Sequence, residues 1–360
     1  MSVMAPVTIR GKVLEVPVIQ GGMGVGISLS SLAGSVMKEG AMGTISAAHP
    51  GYRKPNFRQN PLLANCEALA EECAQARALS QGKGLLAINV MAAAREYEAI
   101  VRCAAKAKPD VIVSGAGLPL DLPKYVEDPE IALAVIVSSK KAAELICKAW
   151  SVRHHRLPDF IVVEGSEAGG HLGFSKDQMA AHSAQSLAEI VTEVVQVTCH
   201  YAELFETTIP VFAGGGIFDH ADVMEILAAG ASGVQLGTRF IPTVECDAAD
   251  AFKQMIIASK QSDIELVHSP AGFPGRALVN PFVKRVRERG NVSVPNCLKC
   301  LTPCNPLDTP YCISEALIQS AKGNVDYGLV FVGSNAYRIT HMTTVHDVIE
   351  QLLGKQEVNA

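Results

Sequence analysis

The stretch Phe160-Ile161-Val162-Val163-Glu164-Gly165-Ser166-Glu167-Ala168-Gly169-Gly170-His171-Leu172-Gly173 is the part of this chain best equipped for chemistry. A β-branched run empties into small residues gathered around one histidine. An imidazole titrates at about pH 6.5 when unperturbed, so it can exchange a proton near neutrality. Small neighbours let a substrate and a planar ring come close to it. The plainer reading of His171 is a histidine that orders its own loop. His154 and His155 lie in a polar, Arg-rich turn, and His182, His200, His220, His341 and His346 lie in amphipathic or exposed contexts without a nucleophile motif beside them.

Two further stretches suit an anion. Gly214-Gly215-Gly216 follows the run Pro210–Ala213, and Gly237-Thr238-Arg239 follows Gly233–Leu236. Backbone without Cβ atoms, together with a hydroxyl, can approach phosphate oxygens closely. One triple glycine alone reads as a tight strand-to-helix turn, but two such loops in consecutive units point to a phosphate. The helix after the first loop has Asp219 as its expected N-cap and Gly230 as its stop. A third glycine cluster, Gln20-Gly21-Gly22-Met23-Gly24-Val25-Gly26, is only superficially a dinucleotide fingerprint, because no ribose-binding acid follows at clear spacing. In a barrel the same glycines would let the main chain run along the face of a planar ring, with Met23 as a soft contact.

The elements that must position these residues are legible as eight short apolar runs. They are Val16–Gln20, Met42–Ile45, Leu85–Asn89, Val111–Ser114, Leu133–Val137, Phe160–Val163, Pro210–Ala213 and Gly233–Leu236, each followed by a turn and an Ala/Leu-rich segment of helical spacing. Continuous apolar strands belong to a parallel sheet covered on both faces. A doubly wound Rossmann-type sheet would read similarly. The anion signal comes late in the chain, however, and (β/α)8 barrels build phosphate sites in the loops after strands seven and eight. The expectation is an α/β protein, a TIM (β/α)8 barrel over residues 1–285 with a C-terminal cap segment over 286–360. His171 then stands at a strand's carboxyl end, where barrel active sites are built. His49, Asn89 and Ser138, after strands two, three and five, would line the same mouth.

Composition narrows the function classes. With 360 residues, 48% hydrophobic and 19% charged, the chain is neither disordered nor coiled coil. A net charge of −5 offers no basic stripe, so nucleic acid is not an expected partner. No apolar run approaches the roughly 20 residues of a membrane span, and the start lacks a signal-peptide core, so a cytoplasmic protein with no membrane partner is expected. Six of the ten cysteines, Cys66, Cys73, Cys103, Cys147, Cys199 and Cys246, sit in apolar or helical contexts and read as reduced, buried thiols.

Taken together, PVIQGGMG, VEGSEAGGHLG, IPVFAGGGI, GVQLGTRF and SPAGFPGRALVN resemble the nitronate monooxygenase family, formerly called 2-nitropropane dioxygenases. That family is similar to the flavin-type enoyl-acyl carrier protein reductases. The resemblance covers about residues 13–285 and implies a TIM barrel flavoprotein that holds FMN. On the matching positions it implies that Gly21, Gly22, Met23, Asn89, Ser138 and Glu164 contact the flavin ring and ribityl chain. Gly169 and Gly170 would shape the loop beside it, while Gly215, Gly216, Gly237 and Thr238 would take the phosphate. His171 matches the family's active-site histidine, catalytic because it handles the proton next to the nitro group. The implied reaction oxidises alkyl nitronates (nitroalkanes) with O2 to a carbonyl compound and nitrite, with no nicotinamide required. The reductase relatives imply an alternative, an NAD(P)H-dependent FMN reductase acting on an enoyl thioester or a quinone, where Arg276 would serve an anionic substrate. A third reading is a non-catalytic flavin- or metal-binding module. A homodimer is left open.

Cys297, Cys300, Cys304 and Cys312 follow the spacing C-x2-C-x3-C-x7-C. Four thiolates could hold Zn or a 4Fe-4S cluster, and the first three resemble the cluster loop of some flavin barrel reductases, which have a longer gap before the last cysteine. The alternative is four reduced thiols in a compact cap. Beyond them Ile313–Gly323 reads as a helix and Gly328–Arg338 as a strand-like run ending in a polar loop. This tail is expected to cover the barrel mouth, where Asn335 or Tyr337 would reach substrate.

Overall fold

The computed structural model describes residues 4–181, 183–292, 294 and 297–356. His182 lies outside the described residues.

All eight apolar runs are strands: Val18–Gln20, Met42–Ser46, Leu85–Met91, Val111–Gly115, Ala132–Val137, Phe160–Glu164, Val211–Gly214 and Gly233–Leu236. They are parallel neighbours in chain order and close into a barrel, the eighth pairing back on the first through Val234–Val18, Gln235–Ile19 and Leu236–Gln20. Strands one and seven begin after Pro17 and Pro210, which have no N–H to give to the ladder. The fold is a TIM barrel, as the alternation of runs and helical segments implies.

Alternate residues of each strand bury on opposite sides, which explains the unbroken apolar runs. Ile19, Met42, Ala87, Val113, Ala134, Phe160, Val162 and Phe212 fill the interior, with Phe160 and Phe212 edge to face at 5.3 Å. Ile161, Val163, Leu133 and Val135 face outward and join the helices in the main core. A hairpin of Val7–Ile9 with Lys12–Leu14 closes the amino end, inserting Ile9 and Leu14 into the interior cluster. An ion pair from Lys12 to Asp110 at 2.8 Å fastens it beside strand four. The site is thereby confined to the opposite, carboxyl end.

The helix after strand seven starts and stops as expected. Asp219 caps His220–Ala228 by accepting from the N–H groups of Ala221 and Asp222, and Gly230 follows at φ +102°. The run 328–338 departs from its strand-like reading. Only Phe331 pairs, opposite Ala277, and a short 3-10 turn follows at Ala336–Arg338. Its buried residues Val330, Val332, Ala336 and Ile339 pack into the main core beside the barrel, so packing rather than a ladder holds this tail in place. The helix Ile313–Ala321 forms as expected.

The cysteines need two corrections. Cys66 and Cys103 are joined by a disulfide, their Cα atoms 5.3 Å apart, because the helices Pro61–Ser80 and Tyr97–Lys106 pack side by side. Cys199 is exposed, whereas Cys73, Cys147 and Cys246 are the buried free thiols expected. Among the described residues no helix is long and apolar enough to cross a membrane.

Candidate active site

The carboxyl ends of the strands enclose a cavity of about 260 Å³. Its walls bring together most of the residues singled out in the sequence: Gly21, Gly22 and Met23 from the first loop, Asn89, Glu164, Gly169, Gly170, His171, Gly215, Gly216, Gly237 and Thr238. Ser138 is not among them. Its hydroxyl packs instead against Gly173, where a Cβ would come within 2.4 Å of it. His49 lines a neighbouring cavity, described below, and Asn335 reaches the main one from the tail.

His171 is held by more than a flexible loop. After strand six the chain turns back, and Gly170–His171 pairs antiparallel with Pro274–Leu278, matching His171 with Gly275. Arg276 on that strand donates from Nη1 to the carbonyls of Ser166 and Ala168 at 2.6 and 2.7 Å, pinning the loop. That geometry gives Arg276 a structural task, in place of the anion contact expected of it in a reductase. The imidazole Nε2 is 2.7 Å from the hydroxyl of Ser269, which itself accepts from the N–H of Ala271 at 3.2 Å. The ring of Phe331 packs edge to face on it at 5.2 Å. Burial lowers the imidazole's pKa to about 4, so the ring is neutral at ordinary pH. Among the described residues Nδ1 has no protein hydrogen-bond partner, and the residue lines the cavity.

Glu164 is the opposite case. Burial raises its carboxyl to about 8, so at neutral pH it carries a proton and can donate a hydrogen bond into the cavity. Two glycines of the lining are closely packed against their neighbours. A Cβ on Gly22 would stand 2.4 Å from Cβ of Asn89, and one on Gly169 would stand 2.5 Å from the backbone of Val332, so neither wall admits a side chain.

At the far side the two glycine loops meet Arg239, a residue whose role the sequence did not reveal. It is 7% exposed, lies 4.3 Å above the Phe218 ring, and donates from Nη2 to Gln351. Its buried Nε has no partner. Burial and the nearby Arg338 lower its pKa to about 10, which still leaves it charged. The charged guanidinium lines the cavity beside the glycine loops, with Asp219 the nearby carboxylate, so this end of the cavity suits an anion. Thr238 Oγ1 accepts from Gly333 N at 2.9 Å, which leaves its hydroxyl proton free for an anion, and Gly215 and Gly216 sit at φ +99° and +92°, where side chains are strained. A buried carboxylic acid, an imidazole, two glycine loops and a charged guanidinium therefore line one cavity.

The profile of the nitronate monooxygenase family matches residues 8–355 of this chain. The chain belongs to the nitronate monooxygenase family. Membership makes it a flavin-dependent oxidoreductase. A probable nitronate monooxygenase of Staphylococcus saprophyticus is 28% identical over 199 residues, which are 54% of this chain and 50% of that protein. The chain thus spans about half the length of that relative. A probable nitronate monooxygenase of Staphylococcus aureus is 26% identical over 311 residues, 76% of this chain and 78% of that one. Among solved structures, FabK from Thermotoga maritima superposes with a TM-score of 0.70 at 23% identity, covering 95% of this chain and 93% of that one. Nitroalkane oxidase from Streptomyces ansochromogenes gives 0.71 at 20% identity, covering 95% and 96%. At these identities the structural likenesses establish the shared fold.

The Zn or 4Fe-4S centre expected at the four clustered cysteines finds no support in the geometry. Among the described residues no group of three or more His, Cys, Asp or Glu side chains is arranged to hold a metal ion. Cys297, Cys300, Cys304 and Cys312 surround a small cavity, where burial pushes the Cys300 thiol up to about 11 and raises Cys312 as well.

Proposed function

We propose that this protein is an FMN-dependent nitronate monooxygenase that oxidises alkyl nitronates with O2 to a carbonyl compound and nitrite. One observation carries the reading: a neutral imidazole, held through Nε2 by Ser269, lines the cavity whose glycine walls form the slot proposed for the flavin ring. FMN bound there would supply the acceptor of electrons from the substrate and the contact with oxygen. The chain's own residues do the rest. With Nε2–H donating to Ser269, the Nδ1 lone pair takes the proton from the carbon next to a nitro group, turning a neutral nitroalkane into the nitronate. Glu164, protonated, would hydrogen-bond the bound ring system, and Arg239, Thr238 and the glycine loops would hold the phosphate. Phe331 and the tail residues Gly333 to Ala336 cover the mouth and keep water from the reacting carbon.

The reading is tested by the visible spectrum of the FMN-loaded protein without oxygen. Propyl nitronate alone, with no nicotinamide, is expected to bleach the flavin, and oxygen to restore the colour with release of nitrite. A flavin that stays yellow with nitronate and bleaches with NADH would replace this function by the reductase alternative.

A further inference from the structure

A second cavity, of about 90 Å³, adjoins the flavin cavity and shares His171, Ala48, Met91 and Leu317 with it. Its other walls are largely aliphatic: Leu62, Val90 and Ile100 from the barrel side, and Leu298, Leu301 and Ile313 from the segment that carries the cysteines. The polar groups on its wall are already engaged. Asn65 Nδ2 is 3.4 Å from His49 Nδ1, and His49 Nε2 is 2.8 Å from Ser314 Oγ. Asn65 must donate, so His49 accepts at Nδ1 and donates from Nε2. Burial lowers the His49 pKa to about 4, so the ring stays neutral and this donor order persists. Ser314 can then direct its own proton to the Cys300 sulfur, which it hydrogen-bonds. Among the described residues these wall groups satisfy one another, which leaves His171 at the shared end and charged side chains only at the other, with an apolar stretch between. Two exposed charged residues, Glu96 and Lys299, mark where the cavity reaches the surface.

We infer that this second cavity holds the aliphatic tail of the substrate, so that the enzyme selects nitronates bearing an unbranched apolar chain. The reacting carbon sits at His171, the tail runs between the Ile100 helix and the Leu298 loop, and a longer chain emerges between Glu96 and Lys299. Specificity is therefore set by the cap segment as much as by the barrel. The inference rests on the proposed oxidation of nitronates for the identity of the head group. The tail site itself rests on the cavity.

The test uses FMN-loaded enzyme and two series of ligands. In the first, kcat/KM is measured for the nitronates of nitroethane to 1-nitrohexane. In the second, calorimetry follows binding of the linear carboxylates acetate to hexanoate, whose planar anionic head imitates a nitronate without reacting. Each added methylene is expected to raise both quantities about fourfold, so that the butyl compound gains about sixteenfold over the ethyl one. Ile100→Trp and Leu298→Trp fill the cavity from opposite walls, and in either one the butyl-to-ethyl ratio is expected to fall close to one. If one variant fails to fold, the other carries the test. A flat series in the wild type, or a rise that survives both tryptophans, would overturn the tail site while leaving nitronate oxidation intact. A carboxylate series that climbs and is lost in the variants, with no nitronate turned over, would keep the tail site and remove the proposed function. The same chain-length rise in NADH-driven reduction of enoyl thioesters would then identify the other head group on the same tail.

Discussion

Nε2 of His171 and Oγ of Ser269 lie 2.7 Å apart across 98 residues of chain. The contact joins the loop after strand six to the segment that precedes the Pro274–Leu278 strand, and it holds the imidazole through one ring nitrogen. A histidine in a glycine-rich loop would otherwise rotate freely. The serine therefore acts as a positioning residue, and the imidazole as the group that meets substrate.

The pair gives a graded prediction. His171→Ala should lower kcat/KM for a neutral nitroalkane by ~10²–10⁴-fold, the usual cost of losing a general base. The effect on a preformed nitronate should be much smaller, because its proton is already gone. Ser269→Ala removes one hydrogen bond worth ~1 kcal/mol, or roughly fivefold in rate. Its loss should likewise fall on the nitroalkane. Steady-state kinetics with both substrate forms checks this, and equal losses on both forms in His171→Ala would argue against a proton-transfer role.

Arg239 makes a prediction about the cofactor alone. The side chain stays charged and lines the cavity, where the phosphate of bound FMN would gain a charge-assisted bond of ~1.5–3 kcal/mol from it. Arg239→Met should weaken FMN binding by roughly 10- to 100-fold and leave riboflavin, which has no phosphate, nearly unaffected. Flavin fluorescence titrations of both ligands distinguish the two cases. Equal weakening of both would mean that the substitution had damaged the slot instead.

Much of this arrangement was legible beforehand, and the residues show why. The eight strands announce themselves because both faces of a barrel strand are buried, and the glycine loops because only glycine tolerates φ near +90° beside a ligand. Ser269, Arg239 and Phe331 were not legible as site residues. Their roles arise from pairings across the fold, such as Gly275 with His171 and Gly333 with Thr238, and no local spacing encodes them. Ser138 was misplaced for the converse reason. Its position at the end of strand five was right, but its side chain turns to Gly173. The disulfide escaped notice because 37 residues separate two cysteines that each look like ordinary helix positions.

That disulfide should contribute measurably to stability. Cross-linking two neighbouring helices restricts the unfolded chain, typically by ~2–4 kcal/mol. Cys66→Ser is expected to lower unfolding free energy by that amount without changing flavin affinity, since the bond lies away from the cavity lining. Denaturant unfolding with and without a reductant measures it. A reductant that shifts the midpoint of the wild type, and leaves the midpoint of the variant in place, confirms the bond in solution.

Three buried groups predict how stability of the flavin-free protein varies with pH. His49 and His171 titrate at about 4 in the fold, below their ordinary 6.5. Between those values the unfolded chain binds more protons, so both histidines cost stability as pH falls from about 6.5 toward 4. Glu164 titrates at about 8 instead of 4.5, so between those values the folded chain holds the extra proton and stability declines as pH rises. Where the windows overlap, two histidines outweigh one glutamate. Above pH 6.5 only the glutamate acts. Stability should thus peak near pH 6.5 and decline toward pH 8. Glu164→Gln, which keeps the shape and cannot ionise, should flatten the decline between pH 6.5 and 8 and steepen the fall on the acid side, where the glutamate no longer offsets the histidines. Thermal melts of both proteins across pH 4.5 to 9 make the comparison, and an alkaline decline that persists in the variant would mean that Glu164 is ionised in the folded cavity.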